Sequence, residues 1–146
     1  FNQLNKKLVV IGTGREEKNL RKIAGPNISF PGFIPENRLP SILTNAKAMI
    51  NCAINEDFGM APVEAMANGI PVIAYASGGV LETVKHQKSG LLFYDYNPTS
   101  ICRLVETLDK SNLSPWQCRS QAQQFSEIKF EKKIKKVIRD AITKRV

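Results

Sequence analysis

The feature that most constrains this chain is a unit that recurs along it. A short unbroken apolar run is followed by a glycine-rich or polar turn, and then by a stretch with helical spacing. Leu8-Val9-Val10-Ile11 leads into Gly12-Thr13-Gly14 and then Glu16 to Ala24, where Leu20, Ile23 and Ala24 share one side. Gly25-Pro26-Asn27 breaks that helix, Ile28-Ser29-Phe30 is a second strand ended by Pro31-Gly32, and Leu39 to Ala46 is a short helix with Pro40 in its first turn. The next unit runs from the strand Ala48–Ala53, through a polar turn at Asn55–Gly59, to a helix over Met60–Asn68. Pro62 suits the first turn of that helix and Gly69 its left-handed stop. Pro71–Tyr75 is a strand opening onto Ala76-Ser77-Gly78-Gly79, Val80–Val84 a short helix and Leu91–Tyr94 a last strand. Helical stretches over about 98–109, 115–125 and 127–145 close the chain. Strands that lack in–out alternation and alternate with helices predict an α/β fold: a Rossmann-like parallel sheet of five strands with helices on both faces.

Composition removes other classes. A length of 146 residues suits one domain or part of a larger protein. Apolar residues at 42% and charged ones at 23% exclude intrinsic disorder. No apolar run approaches the ~20 residues of a membrane span. The polar start (Phe1, Asn2, Gln3) carries no secretory signal, and without an initiator Met the chain is expected to begin inside a longer product. Cys52, Cys102 and Cys118 form no CxxC and have no companion His cluster. That argues for a reducing, cytoplasmic setting and against a zinc site or disulfide framework.

The net charge of +8 is unevenly spread. Residues 129–146 hold eight Lys/Arg against Glu131 and Asp140, a balance of +6; residues 1–128 hold thirteen against eleven acids, a balance of +2. The basicity belongs to the tail, and no nucleic-acid partner is expected for the domain. The chain therefore reads as a domain over 1–128 with a basic amphipathic closing helix over 129–146. In that helix Ile134, Val137, Ile138, Ala141 and Ile142 fall at helical spacing with lysines opposite. The plain expectation is a face that covers core. A membrane-surface helix, giving peripheral membrane association, is the functional alternative.

Ligands of open parallel sheets bind outside the carboxyl ends of the strands, which selects the loops beginning at Gly12, Gly32, Ile54, Ala76 and Asp95. Gly12-Thr13-Gly14 begins like a dinucleotide fingerprint, but Glu17 stands at the third glycine position and no acid follows about twenty residues on. A tight turn and direct ligand contact at Gly12 both stay open. The informative stretch is Glu56-Asp57-Phe58-Gly59-Met60-Ala61-Pro62-Val63-Glu64. Gly59 permits close backbone approach, and the amides of Met60, Ala61 and their neighbours at a helix start suit a diphosphate. Carboxylates repel phosphate but accept paired hydrogen bonds from cis-diols. Glu64, roughly 6 Å along the helix, and Glu56, before it, can bracket a diphosphate with a ribose at one end and a sugar at the other. A bland reading stands beside this one: both glutamates merely stabilise a helix amino terminus.

Glu56…Glu64 with Phe58-Gly59 between, then Ala65-Met66-Ala67-Asn68-Gly69-Ile70-Pro71-Val72-Ile73-Ala74, Gly78-Gly79 and Glu82-Thr83-Val84, resembles the E-x7-E region of family-four glycosyltransferases. Gly12-Thr13-Gly14, Phe30-Pro31-Gly32-Phe33-Ile34 and Ser89-Gly90-Leu91-Leu92-Phe93 follow the family's order, so the resemblance covers about residues 7–110. It implies one half of a GT-B fold, the carboxy-terminal donor-binding domain of an enzyme that transfers a sugar with retention. It also implies roles. Glu64 would hold the ribose diol, and Glu56 would contact the donor sugar near the reacting carbon, as the one local catalytic candidate. Backbone amides across Asp57, Phe58, Gly59, Met60 and Ala61 would hold sugar hydroxyls and diphosphate, and the main chain at Ile34 would face the base.

Glu-Asp-Phe-Gly at Glu56–Gly59, with Ala74-Tyr75 and Glu82-Thr83-Val84, looks most like the mannosyltransferase branch, whose donor is GDP-mannose. The family's phosphate-clamping Arg and Lys precede the strand at Leu8 and are not in this sequence, nor are the acceptor domain and a sixth strand. The family places its final helix across the domain junction. No Asp-x-Asp occurs, and GT-B enzymes use a helix dipole and cations in place of a metal, so no metal or other cofactor is expected. An epimerase of the same architecture and a non-catalytic basic docking module are the alternative readings. His86 is expected in a solvated loop, Trp116 and Phe125 as packing residues, and the cysteines as buried apolar side chains.

Overall fold

The computed structural model describes residues 1–143. The expected elements are present with shifts of a few residues at their ends: β1 (Leu8–Ile11), α1 (Glu17–Ile23), β2 (Ile28–Gly32), α2 (Leu39–Leu43), β3 (Met49–Asn51), α3 (Met60–Ala67), β4 (Val72–Tyr75), α4 (Val80–Thr83), β5 (Gly90–Phe93), α5 (Pro98–Leu108), α6 (Pro115–Ala122) and α7 (Glu127–Thr143). Short 3-10 turns at Glu36–Arg38 and Gln123–Phe125 precede α2 and follow α6. The last part of the predicted closing helix, residues 144–146, lies outside the described residues.

The α/β class is as expected, and all strand pairs are parallel, but the strands form two ladders instead of one sheet: β1–β2, and β3–β4–β5. The backbone correspondingly clusters into two compact units, Phe1–Asn45 and Ala46 onward.

In the second unit, Val72, Ile73 and Ala74 of β4 are all fully buried. Successive strand residues point to opposite faces, so both faces of this sheet are covered, as the unbroken apolar run predicts. The register sets Met49 against Val72, and Val72 against Gly90. α3 packs on β3 and β4, and α5 on β4 and β5. Pro98 and Pro115 open α5 and α6, where Asn97 caps the Ser100 amide and Ser114 and Gln117 form a reciprocal capping box. α6 buttresses α3 and α4: Cys118 is fully buried, and the Gln121 side chain donates to the Thr83 carbonyl at 3.0 Å.

The first unit is thinner. Within 1–45 no residue is fully buried, and Leu8 and Val10 are half-buried while Val9 and Ile11 are exposed. Cover on both faces, expected from the apolar run at β1, is therefore not found there. Two strands, a seven-residue helix and a five-residue helix offer too little apolar surface for a second layer. Leu20 and Ile23 on α1 are likewise exposed. The Asn27 side chain ties the start of the chain down, donating to the carbonyls of Phe1, Leu4 and Lys6.

Two further expectations are corrected. The apolar side of α7 does not cover core, since Ile134, Val137, Ile138 and Ile142 are 40–64% exposed and no residue of α7 is buried. Trp116 is 73% exposed. Cys118 and Ala122 turn the inner side of α6 toward the core, and a residue two positions before Cys118 falls on the other side. Phe125 does pack, with its ring edge on Phe58 at a centroid distance of 5.6 Å. Of the cysteines, only Cys118 is fully buried; Cys52 and Cys102 are half-buried.

Candidate functional site

The start of α3 carries the site. Pro62, Ala65 and Met66 are its buried residues, at the spacing that puts one face on the sheet. The same spacing leaves Met60, Ala61 and Glu64 on the exposed side. Gly59, the residue before the helix, adopts a left-handed conformation (φ 84°, ψ 58°) that a side chain would strain. No side chain caps this helix and its first turn holds no acid. By helix geometry the amides of Met60 and Ala61 have no partner within the helix, and Pro62 has no amide to leave unpaired. Such an end suits an anion.

Glu64 stands beyond the first turn of α3, and Glu56 three residues before Gly59. Helix-dipole stabilisation fades outside the first turn, so that role does not account for either residue. Among the described residues, neither carboxylate makes a hydrogen bond or ion pair. Glu56 is half-buried and Glu64 exposed. Two carboxylates with open acceptor capacity thus flank an uncapped helix end, with Asp57 and Phe58 exposed between them.

The loop that carries Glu56 is held by its neighbours. The Gly79 amide donates to the Glu56 carbonyl at 2.7 Å. A Cβ on Gly78 would strike the Glu56 carbonyl oxygen, and one on Gly79 the Asp57 carbonyl oxygen. Asn55 takes a left-handed φ of 57°, its amide donates to Ser77 Oγ at 3.2 Å, and Ser77 Oγ donates back to Asn55 Oδ1 at 3.2 Å. The Ala53 amide donates to Asn51 Oδ1 at 2.9 Å, and Tyr96 Oη donates to the Cys52 carbonyl at 2.9 Å. Sequence reading singled out Gly78-Gly79 as a motif but missed the support from Ser77 and Tyr96. A glycine pair directly after a strand was the available signal; nothing local marks Tyr96.

Gly12 and Ile34 belong to the first unit, and Asp57–Ala61 with both glutamates to the second. Within the first unit, Gly12 has a φ of 106° and donates its amide to the Gly32 carbonyl at 2.8 Å. That bond draws the ends of β1 and β2 together, with half-buried Ile34 two residues beyond Gly32. Gly12 thus sits at a bend directly after β1, in a backbone conformation that favours glycine.

His86 is exposed as expected, and its Nδ1 accepts the Leu92 amide at 3.0 Å. Burial pushes the thiols of Cys52 and Cys118 above their ordinary range. Among the described residues, no group of three His, Cys, Asp or Glu side chains is placed to hold a metal ion, and no helix is long and apolar enough to cross a membrane.

Similarity to known proteins runs through the whole of this region. The family model described as glycosyl transferases group 1 matches residues 2–125. An uncharacterized glycosyltransferase of Methanocaldococcus jannaschii is 32% identical over 117 residues, 77% of this chain and 29% of that protein. The GDP-mannose-dependent alpha-(1-6)-phosphatidylinositol monomannoside mannosyltransferase of Mycobacterium tuberculosis is 37% identical over 98 residues, 58% of this chain and 25% of that protein. The fold matches sucrose-phosphate synthase from Thermosynechococcus elongatus with a TM-score of 0.75 at 23% identity, over 97% of this chain and 40% of that one. The chain thus spans less than a third of either curated relative. With a family model matched along most of its length, this chain belongs to the group 1 glycosyl transferases.

Proposed function

We propose that this chain is the donor-binding half of a retaining glycosyltransferase, and that its donor is GDP-mannose. One observation carries the reading: two carboxylates without partners stand on either side of an uncapped helix start. The helix end takes the diphosphate. Glu64 accepts both hydroxyls of the ribose, and Glu56 accepts hydroxyls of the sugar near the reacting carbon. The amides across Asp57–Ala61 hold the sugar and phosphates. Mannose as the sugar is supported by the mannosyltransferase named above.

Residues 1–128 act as the nucleotide-sugar-binding domain, and the rest of α7 follows it. Transfer is metal-independent in this reading, because a helix end and cations do the work a divalent ion would do at the leaving diphosphate. The reaction runs in the cytoplasm, with a glycan or lipid-linked acceptor held by an amino-terminal domain outside this sequence. Holding two reactants together supplies roughly 7–11 kcal/mol of a barrier. The 146-residue chain by itself should accordingly bind donor and transfer no sugar.

The exposed face of α7 supports a further contact, with an anionic bilayer surface. Lys133 lies on one flank of the apolar strip and Lys135 and Arg139 on the other, the arrangement of a basic interfacial helix.

Calorimetry tests the donor reading. Glu64→Ala should weaken GDP binding by about 1.5–3 kcal/mol, the worth of charge-assisted hydrogen bonds. Glu56→Ala should leave GDP binding nearly unchanged and remove the extra affinity that mannose confers. Two variants indistinguishable with both ligands would make the assigned roles wrong. Adding the amino-terminal domain and following labelled GDP-mannose then separates a glycoside product from an epimerised nucleotide sugar.

A further inference from the structure

We propose that Tyr96 is a positioning residue for Glu56: it tethers the base of the Glu56 loop across the sheet and so sets the affinity for the sugar part of the donor. The proposal rests on the donor reading above and adds a residue to it. The loop from Cys52 to Gly59 contains two left-handed positions, Asn55 (φ 57°) and Gly59 (φ 84°). Such a path is one of several open to a chain of this length, and it persists only where the surroundings hold it. Ser77 grips the loop at Asn55 and Gly79 grips it at Glu56. Tyr96 grips it where it leaves β3, at the Cys52 carbonyl.

This grip comes from the far edge of the sheet. Tyr96 follows β5, and the strand between β5 and β3 is β4. The tyrosine ring crosses β4 on a ladder of aromatic contacts. It stands near-perpendicular to the Tyr75 ring at 4.8 Å between centroids, and Tyr75 in turn lies 5.5 Å from Phe93. The segment carrying Tyr96 is itself fixed, because the Asn97 amide donates to the Asp95 carbonyl at 2.8 Å and the Asn97 side chain caps α5 through the Ser100 amide at 2.9 Å. Tyr96, itself 53% exposed, therefore brings its hydroxyl to the loop's first carbonyl from a segment anchored at Asn97.

Glu64 does not depend on this tether. It rides on α3, which is seated by the buried Pro62, Ala65 and Met66. Loss of the Tyr96 hydroxyl should thus separate the two glutamates functionally. A general loss of packing would not separate them. Tyr96→Phe is the suitable variant, because it keeps the ring contact with Tyr75 and removes only the hydrogen bond.

In the 146-residue chain, hydrogen exchange by mass spectrometry should show the Ala53–Phe58 amides of Tyr96→Phe exchanging about fivefold faster, the worth of one hydrogen bond, with α3 unchanged. The affinity gained on going from GDP to GDP-mannose should fall about fivefold, while GDP affinity stays within about twofold. Unchanged exchange in the loop would overturn the tether. An equal loss of affinity for both ligands would overturn the selective role. Should the unaltered chain bind neither nucleotide, the donor reading fails, and with it the role toward sugar; the exchange result still decides whether the tether exists.

Discussion

The amide of Gly79 donates to the carbonyl of Glu56 at 2.7 Å, and this backbone-to-backbone seat has no room for a side chain at Gly79. The backbone of Gly79 (φ −62°, ψ −17°) is one that alanine adopts freely. The obstacle to Gly79→Ala is therefore steric alone: its Cβ would lie 2.5 Å from Phe58 Cα and nearer still to the Asp57 carbonyl oxygen. Gly79→Ala should lower stability by about 1–3 kcal/mol, the usual cost of overpacking. It should also displace Glu56 and erase the preference for GDP-mannose over GDP. Thermal melts and paired titrations check both; a stable variant that keeps the preference would mean the seat does not position Glu56.

Gly90 makes a second close approach, this time inside the sheet. A Cβ there would strike the Val72 carbonyl oxygen across the β4–β5 ladder and crowd Val84 Cγ1 at 2.8 Å. Gly90→Ala should cost about 1–3 kcal/mol in urea unfolding. Gly14→Ala, where nothing lies within 4 Å of the added carbon, should stay within about 0.5 kcal/mol. Equal effects at the two glycines would contradict the packing described for β4 and β5.

Burial of Cys118 has a consequence at high pH. Its thiol is raised above the ordinary value of 9.0, so in the folded chain it keeps its proton to higher pH than in the unfolded chain. Below that ordinary value both states are protonated and the group contributes nothing to pH dependence. Above it the unfolded state ionises first, binds fewer protons and gains, so stability falls as pH rises. Denaturation curves from neutral pH to pH about 10 should show this decline, and Cys118→Ala should make it shallower, the similarly shifted Cys52 supplying what remains. An unchanged slope in Cys118→Ala would rule out the thiol as its source.

The exposed strip on α7 makes the fourth expectation. The chain should co-sediment with vesicles containing phosphatidylglycerol and not with phosphatidylcholine vesicles, and salt should weaken the interaction. Ile138→Asp, on the exposed strip, should abolish sedimentation, as should truncation after Phe130. If instead the strip is covered by an added amino-terminal domain, or by a second copy of the chain in solution, lipid binding will be absent and the bilayer reading falls.

Much of this protein is legible in the order of its residues. Val72-Ile73-Ala74 has no in–out alternation, and the strand it forms is buried on both faces. Pro62 and Gly69 mark the first turn and the end of α3, and Gly59 allows the left-handed entry. These are local matters of backbone sterics and side-chain period, which a chain carries wherever it folds. Glu56 and Glu64 were legible as a pair for the same reason, since one helix start relates them. Partnership between distant segments is different. Val9 and Ile11 look like Ile73 in sequence, yet they stay exposed because what covers an apolar residue is set by other elements. The apolar face of α7 is plain in its spacing, while its exposure is not. Tyr96 reaches Cys52 across 44 positions, and Gly79 reaches Glu56 across a helix and a strand. Local preference specifies the elements of this protein; only close approach in three dimensions decides which of them meet, and it is there that the loop of Glu56 is held.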